Sequence, residues 1–146
     1  MIKPVSFSAW LGTEEAKPLI AEYAKECSIP AIGEVDPQPE TYAAMERAGL
    51  MQSFAAYHGG LVGFANVLTP VLPHYGKRVA TVETLYVTPV ARRLGIGREL
   101  MLAIERYAAS LDCAGVLYSS PAGGQLERVL EAKKYLRTNA VFFKKL

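Results

Sequence analysis

Hydrophobic and polar positions along this chain change period several times, and each change marks an element. Val79 to Val87 is rich in β-branched and aromatic side chains and predicts a strand. Just beyond it, Ile96, Leu100, Ile104, Tyr107, Ala108 and Leu111 recur at helical spacing and form one apolar stripe. Upstream, Lys3 to Ser8 alternates as a first strand, and Trp10-Leu11-Gly12 breaks it. Thr13 followed by Glu14 and Glu15 predicts a helix start, with Leu19, Ile20, Tyr23 and Ala24 on the buried face as far as about Cys27. Pro30, Gly33, Pro37 and Pro39 interrupt all periodicity and predict a loop over 28–39. A short helix from about Glu40 to Ala48, with Gly49 at its C-terminus, comes next.

Leu50 to Tyr57 and Leu61 to Thr69 predict a hairpin closed by His58-Gly59-Gly60. Pro70, Pro73 and Gly76 mark a loop before the strand at 79–87. Beyond the amphipathic helix, Ala114 to Ser119 is a short apolar strand and Pro121 to Gly124 restarts the chain. Leu126, Val129, Leu130 and Lys133 then follow at helical spacing, and Arg137 to Lys145 predicts a last strand. This order implies an α/β (α+β) domain spanning 1–146. Its sheet is mixed and mostly antiparallel, flanked by helices, and a β-α-β unit at 79–119 supplies a parallel pair.

Composition alters this picture little. A chain of 146 residues, half apolar and about a fifth charged, is long enough to bury a core without metals or disulfides. A net charge of +2, from scattered basic residues, gives no footprint for nucleic acid. Cys27 and Cys113 have neither framework nor metal-ligand spacing, which predicts reduced, structural thiols and a cytoplasmic setting. Met1-Ile2-Lys3-Pro4 precedes no signal-like apolar run, and no window reaches membrane-spanning length. His58 and His74 make no metal set with the cysteines, and no Ser-His-Asp or Cys-His arrangement is present.

The candidate chemistry lies where strand hands over to helix, in Arg92-Arg93-Leu94-Gly95-Ile96-Gly97-Arg98. A turn there aims free N–H groups and the positive end of the helix dipole forward. Glycine at 95 and 97 allows close approach, and the arginines suit phosphate oxygens. The stretch is an anion cradle whose natural occupant is a diphosphate. It lacks the third glycine of a dinucleotide-binding fingerprint and the Gly-Lys-Ser/Thr of a Walker loop. Arg92, Gly95 and Gly97 resemble the coenzyme A signature of the GNAT superfamily of N-acetyltransferases: Arg or Gln, two residues, Gly, one residue, then Gly or Ala. The likeness extends from Val79 to Tyr107. Within it, Leu85-Tyr86-Val87-Thr88-Pro89 is similar to the family's strand ending in a Val-x-Pro step.

That resemblance implies acetyl-CoA as co-substrate, no metal, and transfer of its acetyl group to a primary amine by direct attack in a ternary complex. It implies that the cradle residues Arg92, Arg93, Leu94, Gly95, Ile96, Gly97 and Arg98 hold the diphosphate. The main chain of Leu85, Tyr86 and Val87 would pair with the pantetheine arm, and a main-chain N–H near Leu85–Tyr86 would stabilise an oxyanion. Glu83, an acid in an apolar strand and by alternation on the face of Leu85 and Val87, is the candidate general base. The family's usual acid is a tyrosine, and the corresponding position here is Leu130, so Tyr118 and Tyr135 are the substitutes. Ser119 and Ser120 stand where the family has an asparagine, and either bond the pantetheine arm or cap the next helix.

Acceptor recognition is expected from the loops at 29–39 and 69–77, with Glu34, Asp36, His74, Tyr75 and Trp10 as candidates. The acceptor is a small-molecule or peptide amine, with no nucleic acid or membrane partner. The terminal strand also suits pairing with a second copy, which leaves a homodimer open. A coenzyme A-holding module that turns nothing over is the alternative reading, and the substitution at Leu130 favours it. A nucleotide-phosphate binder would need a basic ribose or base pocket and magnesium ligands, and neither is visible.

Overall fold

The computed structural model describes residues 1–146. In chain order it runs β1 (Ile2–Val5), α1 (Phe7–Trp10), α2 (Ala16–Cys27), α3 (Pro39–Arg47), β2 (Met51–Tyr57) and β3 (Leu61–Leu68). Then come β4 (Val71–Leu72), β5 (Lys77–Arg78), β6 (Ala80–Val87), a 3-10 turn (Pro89–Leu94), α4 (Ile96–Ser110), β7 (Val116–Tyr118) and α5 (Gln125–Ala132). Five strands form the main sheet in the order β1-β2-β3-β6-β7, and β4 with β5 forms a small separate ribbon. All neighbours in the main sheet are antiparallel except β6 and β7. The parallel pair follows from α4, because two parallel strands need a crossover helix between them. No helix is long and apolar enough to cross a membrane.

Each face of the sheet buries its own core. On one, the stripe of α4 packs Ile96, Leu100 and Ile104 against Phe54, Ala65, Val67, Val82 and Val87. Leu100 and Ile104 are fully buried, and each such side chain contributes about 1.5–3 kcal/mol of hydrophobic stabilisation. On the other, α1 and α2 lay Phe7, Trp10 and Leu19 over Phe64, Tyr86 and Met51, with Tyr42 and Met45 of α3 packed beside them. Rings of Phe7, Trp10, Phe64 and Tyr23 meet there at 5.3–5.9 Å between centroids, within the range of favourable aromatic pairing.

Three expectations are corrected. Residues from Ser6 onward leave the first strand early: Ser6 caps α1 by accepting from the Ala9 N–H at 3.5 Å. Helix α2 starts at Ala16 rather than Thr13, whose hydroxyl donates to the Trp10 carbonyl at 2.8 Å and accepts from the Ala16 N–H at 3.3 Å. The predicted last strand at 137–145 is absent, and these residues form no regular structure. Alternation alone does not make a strand; it needs a neighbour to pair with and a face to bury. Val141 and Phe142 have neither and stand 88% and 91% exposed.

Glu46 ties α3 to α1. Its carboxylate accepts from the Phe7 N–H at 2.5 Å, from Ser8 Oγ at 2.6 Å and from Ser6 Oγ at 3.0 Å. Burial alone would raise the carboxyl's pKa; the bonds from Ser8, Phe7 and Ser6 outweigh it and hold it below the ordinary value of 4.5. A folded-state pKa below the unfolded one stabilises fully above the unfolded value and is lost as pH falls through the folded one. Glu46→Gln therefore lowers stability at neutral pH by roughly 1 kcal/mol, since the group is only partly buried. Urea midpoints for the two proteins should converge on acidification below about pH 4.5. A gap that stays constant down to acid pH would show that the charge is not what Glu46 contributes.

Candidate active site

The register of β6 against β3 changes at Glu83. Val82 pairs with Val67 and Thr84 with Asn66, so Glu83 is the extra residue of a β-bulge. A bulge resets which side chains share a face. Val82, Leu85 and Val87 all pack on the α4 side, whereas Glu83 lines a cavity with Phe7, Tyr42 and Phe64 on the other. The expected common face of Glu83 with Leu85 and Val87 is thus overturned by one inserted residue. The Glu83 carboxylate accepts from Thr84 Oγ1 and from Asn66 Nδ2 at 3.4 Å. Asn66 in turn accepts from Ser53 Oγ at 2.7 Å and donates to Thr84 Oγ1 at 3.3 Å. Ser53, Asn66 and Thr84 are all buried, so a polar relay crosses three strands and ends on Glu83. Asn66 is the one member with a sequence signal, an amide inside an apolar strand where such residues are depleted.

The bulge is also where β6 loses its parallel neighbour. Pairing with β7 runs from Ala80↔Val116 to Val82↔Tyr118 and stops there. On the other edge β6 stays paired with β3 through Val87, and the Thr88 N–H continues to the Val62 carbonyl at 2.8 Å. Alternation from Thr88 turns the polar groups of Tyr86 and Thr84 toward β3, and those of Leu85 and Val87 toward the edge that β7 has left. Arg92 Nε donates to the Val87 carbonyl there at 2.9 Å. The Leu85 main chain faces an open slot.

The slot leads into the cradle. Strand β6 does not hand over directly to α4; the 3-10 turn Pro89–Leu94 intervenes. Gly95 joins the two with φ +79°, a left-handed conformation that side-chain-bearing residues rarely adopt. It therefore precedes the helix rather than lying inside its first turn. Gly97 has ordinary helical geometry, and a Cβ built on it would meet only Val87 Cγ2 at 3.9 Å. The first turn of α4 has no side-chain cap, so its N–H groups face the open side. Ile96 points into the core, and Leu94 lies 52% exposed. Arg93 and Arg98 are exposed and form no ion pair within the chain. Arg92 differs: its guanidinium lies over the Tyr86 ring at 5.6 Å and bonds Glu26 at 2.5 Å.

The family model described as Acetyltransferase (GNAT) family matches residues 15–123, taking in this slot, the cradle and α4. The chain belongs to the GNAT acetyltransferase family. Its fold agrees with solved members over full lengths. A ribosomal-protein-alanine N-acetyltransferase from Brucella melitensis biovar Abortus 2308 is 19% identical with a TM-score of 0.69, covering 100% of this chain and 99% of that one. An aminoglycoside acetyltransferase from an uncultured soil metagenomic sample, in complex with sisomicin, is 14% identical with a TM-score of 0.75, over 100% and 95%. The aminoglycoside N-acetyltransferase AAC(6')-Iy in complex with CoA is 18% identical with a TM-score of 0.72, over 100% and 98%. A search of curated proteins finds no match. Family membership makes this chain an acyltransferase of the N-acetyltransferase kind.

In this acetyltransferase the other predicted site residues are spread unevenly. Tyr118 pairs with Val82 and packs on the α4 side, across the sheet from the Glu83 cavity. Its hydroxyl donates to Glu105 at 3.2 Å, and Tyr135 donates to the same carboxylate at 2.5 Å. Burial, then Glu105, pushes the Tyr118 phenol far above its usual range, and the bond to Glu105 raises Tyr135 to about 12. Both tyrosines brace against α4, Tyr118 from the end of β7 and Tyr135 from the chain just after α5. Ser119 and Ser120 follow β7, and their hydroxyls bond nothing in the chain. Leu130 lies half-buried on α5. Cys27 and Cys113 are free thiols, and burial, then Glu26, pushes Cys27 up, away from the thiolate form.

Gly97 separates folding from binding. Because the protein has room for a methyl there, Gly97→Ala should stabilise the fold by about 0.5–1 kcal/mol through helix propensity and a less flexible unfolded chain. The same methyl adds bulk beside the uncapped first turn and should weaken acetyl-CoA about tenfold or more if the diphosphate docks there. Thermal melts with and without acetyl-CoA read both effects; a more stable variant with unaltered cofactor affinity would show that nothing docks there.

Proposed function

We propose that this chain transfers the acetyl group of acetyl-CoA to a primary amine by direct attack within a ternary complex. The observation that carries this is the succession of three features along β6 and the turn that follows it: the bulge that puts Glu83 in its cavity, the edge that β7 leaves, and the uncapped α4 N-terminus. The residues present suit the cofactor. The N–H groups at the start of α4, with Arg93 and Arg98, receive the diphosphate, and the open space before Gly97 admits it. Arg92 is a positioning residue, holding the cradle to the end of β6 through the Val87 carbonyl. The pantetheine arm lies along the Leu85 and Val87 main chain as a substitute strand. Ser119 and Ser120 supply hydroxyls where β7 diverges.

The thioester then ends beside the bulge, where the Leu85 N–H polarises its carbonyl and favours the oxyanion. An amine at physiological pH carries an extra proton and must lose it before attack. Glu83 takes that proton, its carboxylate held by Thr84 and Asn66 so that orientation costs little at the moment of reaction. The products are the acetylated amine and the coenzyme A thiolate, which is a tolerable leaving group without a dedicated acid. Tyr118 takes no part, since its proton is committed to Glu105 on the far face.

Calorimetry with acetyl-CoA and with ATP tests donor recognition, and saturable binding of acetyl-CoA alone is expected. Glu83→Gln should lower kcat/KM for the best amine of a screened panel about a hundredfold while leaving acetyl-CoA affinity unchanged. Equal binding of ATP would overturn the donor. Tight acetyl-CoA binding without turnover of any amine would leave a coenzyme A-holding module.

A further inference from the structure

The acetyl-transfer reading names the donor and the reaction but not the amine, and the Glu83 cavity narrows that choice. It measures about 210 Å³, below the roughly 300 Å³ at which sites for drug-sized ligands begin. Four rings form its wall: Phe7, Tyr23, Tyr42 and Phe64. Phe7 and Tyr42 meet edge to face at 4.6 Å, and Tyr23 and Phe64 do so at 5.6 Å, so the wall is braced by its own contacts. Ile20, Val35 and Pro37 complete the apolar lining. The charged groups are two carboxylates, Glu83 and Asp36, and no lysine or arginine lines the space. Burial, then the charge on Glu83, raises the Tyr42 phenol to about 12, so the ring stays neutral and the carboxylate's field reaches across the cavity.

From this lining we infer that the acceptor is a compact arylalkyl or alkyl monoamine, its ammonium drawn to Glu83 and its apolar body seated among the rings. A single ammonium is matched by Glu83 and attracted by the π faces around it. Asp36, on the exposed loop, adds a second negative charge that favours the ammonium's approach. A polycationic, polyhydroxylated aminoglycoside would instead leave most of its charges and hydroxyls unmatched against an apolar wall. The inference rests on the acetyl-transfer reading, but the cavity's preference for such an amine can be examined without the donor.

The test compares 2-phenylethylamine, 2-aminoethanol and sisomicin as acceptors at saturating acetyl-CoA, with ring resonances of Tyr23 and Tyr42 followed by NMR during titration of each amine alone. 2-Phenylethylamine should exceed 2-aminoethanol in kcat/KM by about a hundredfold, in keeping with burial of one aromatic ring. It should exceed sisomicin as well, and shift both tyrosine rings. Val35→Ser, on the loop at the cavity's wall, removes apolar surface without adding charge and should raise the KM for 2-phenylethylamine severalfold, while acetyl-CoA calorimetry on the variant reports the donor side separately. If acetyl-CoA binds but 2-phenylethylamine moves neither ring and gains nothing over the other amines, the inference is overturned and the donor reading stands. If the rings shift and acetyl-CoA does not bind, the cavity's preference stands and the transfer reading falls.

Discussion

The parting of β6 from β7 is the constraint to which the rest of the molecule is fitted. Strand ladders satisfy backbone groups in pairs, and a strand abandoned on one edge leaves donors and acceptors that cost free energy if they are buried without partners. Here the separation begins after the Val82↔Tyr118 pair, at the bulge, and is maintained on both sides. Strand β3 holds β6 straight through Thr88, while the Tyr118–Glu105–Tyr135 cluster draws the end of β7 toward α4 and α5. The slot is therefore a product of packing on its two walls. Arg92 fixes the far end by tying the Val87 carbonyl to the turn that leads into the cradle.

The two glycines of the cradle serve different ends. Gly95 is needed by the backbone, which passes through a left-handed conformation between the 3-10 turn and α4. No contact in the protein requires glycine at 97, and alanine would stabilise the helix. A chain that keeps glycine at such a position forgoes stability to leave a surface uncovered, the familiar conflict between rigidity and function.

Much of this was legible along the chain because the informative signals were local. The β-branched run at 79–87 and the apolar stripe from Ile96 to Leu111 each declare their own period, and the glycines between them mark the junction. The order of elements followed, and with it the sheet. What escaped was whatever depends on a neighbouring strand. A bulge is a mismatch between two registers, so the alternation of β6 alone placed Glu83 with Leu85 and Val87 when pairing with β3 turns it the other way. Ser53, Asn66 and Thr84 lie far apart in sequence and form a relay only once three strands are laid side by side. Val141 and Phe142 alternate persuasively, but no partner strand is there to meet them.

The division of labour between sheet and loop bears on how such an enzyme can change. Glu83, its relay and the opened edge belong to the central strands, where a substitution disturbs buried pairing. Val35, Asp36 and Pro37 belong to a connection between α2 and α3 that no strand depends on. Under the proposed transfer, replacements in that connection change which acetyl recipient fits while Glu83, its relay and the turn before α4 stay as they are.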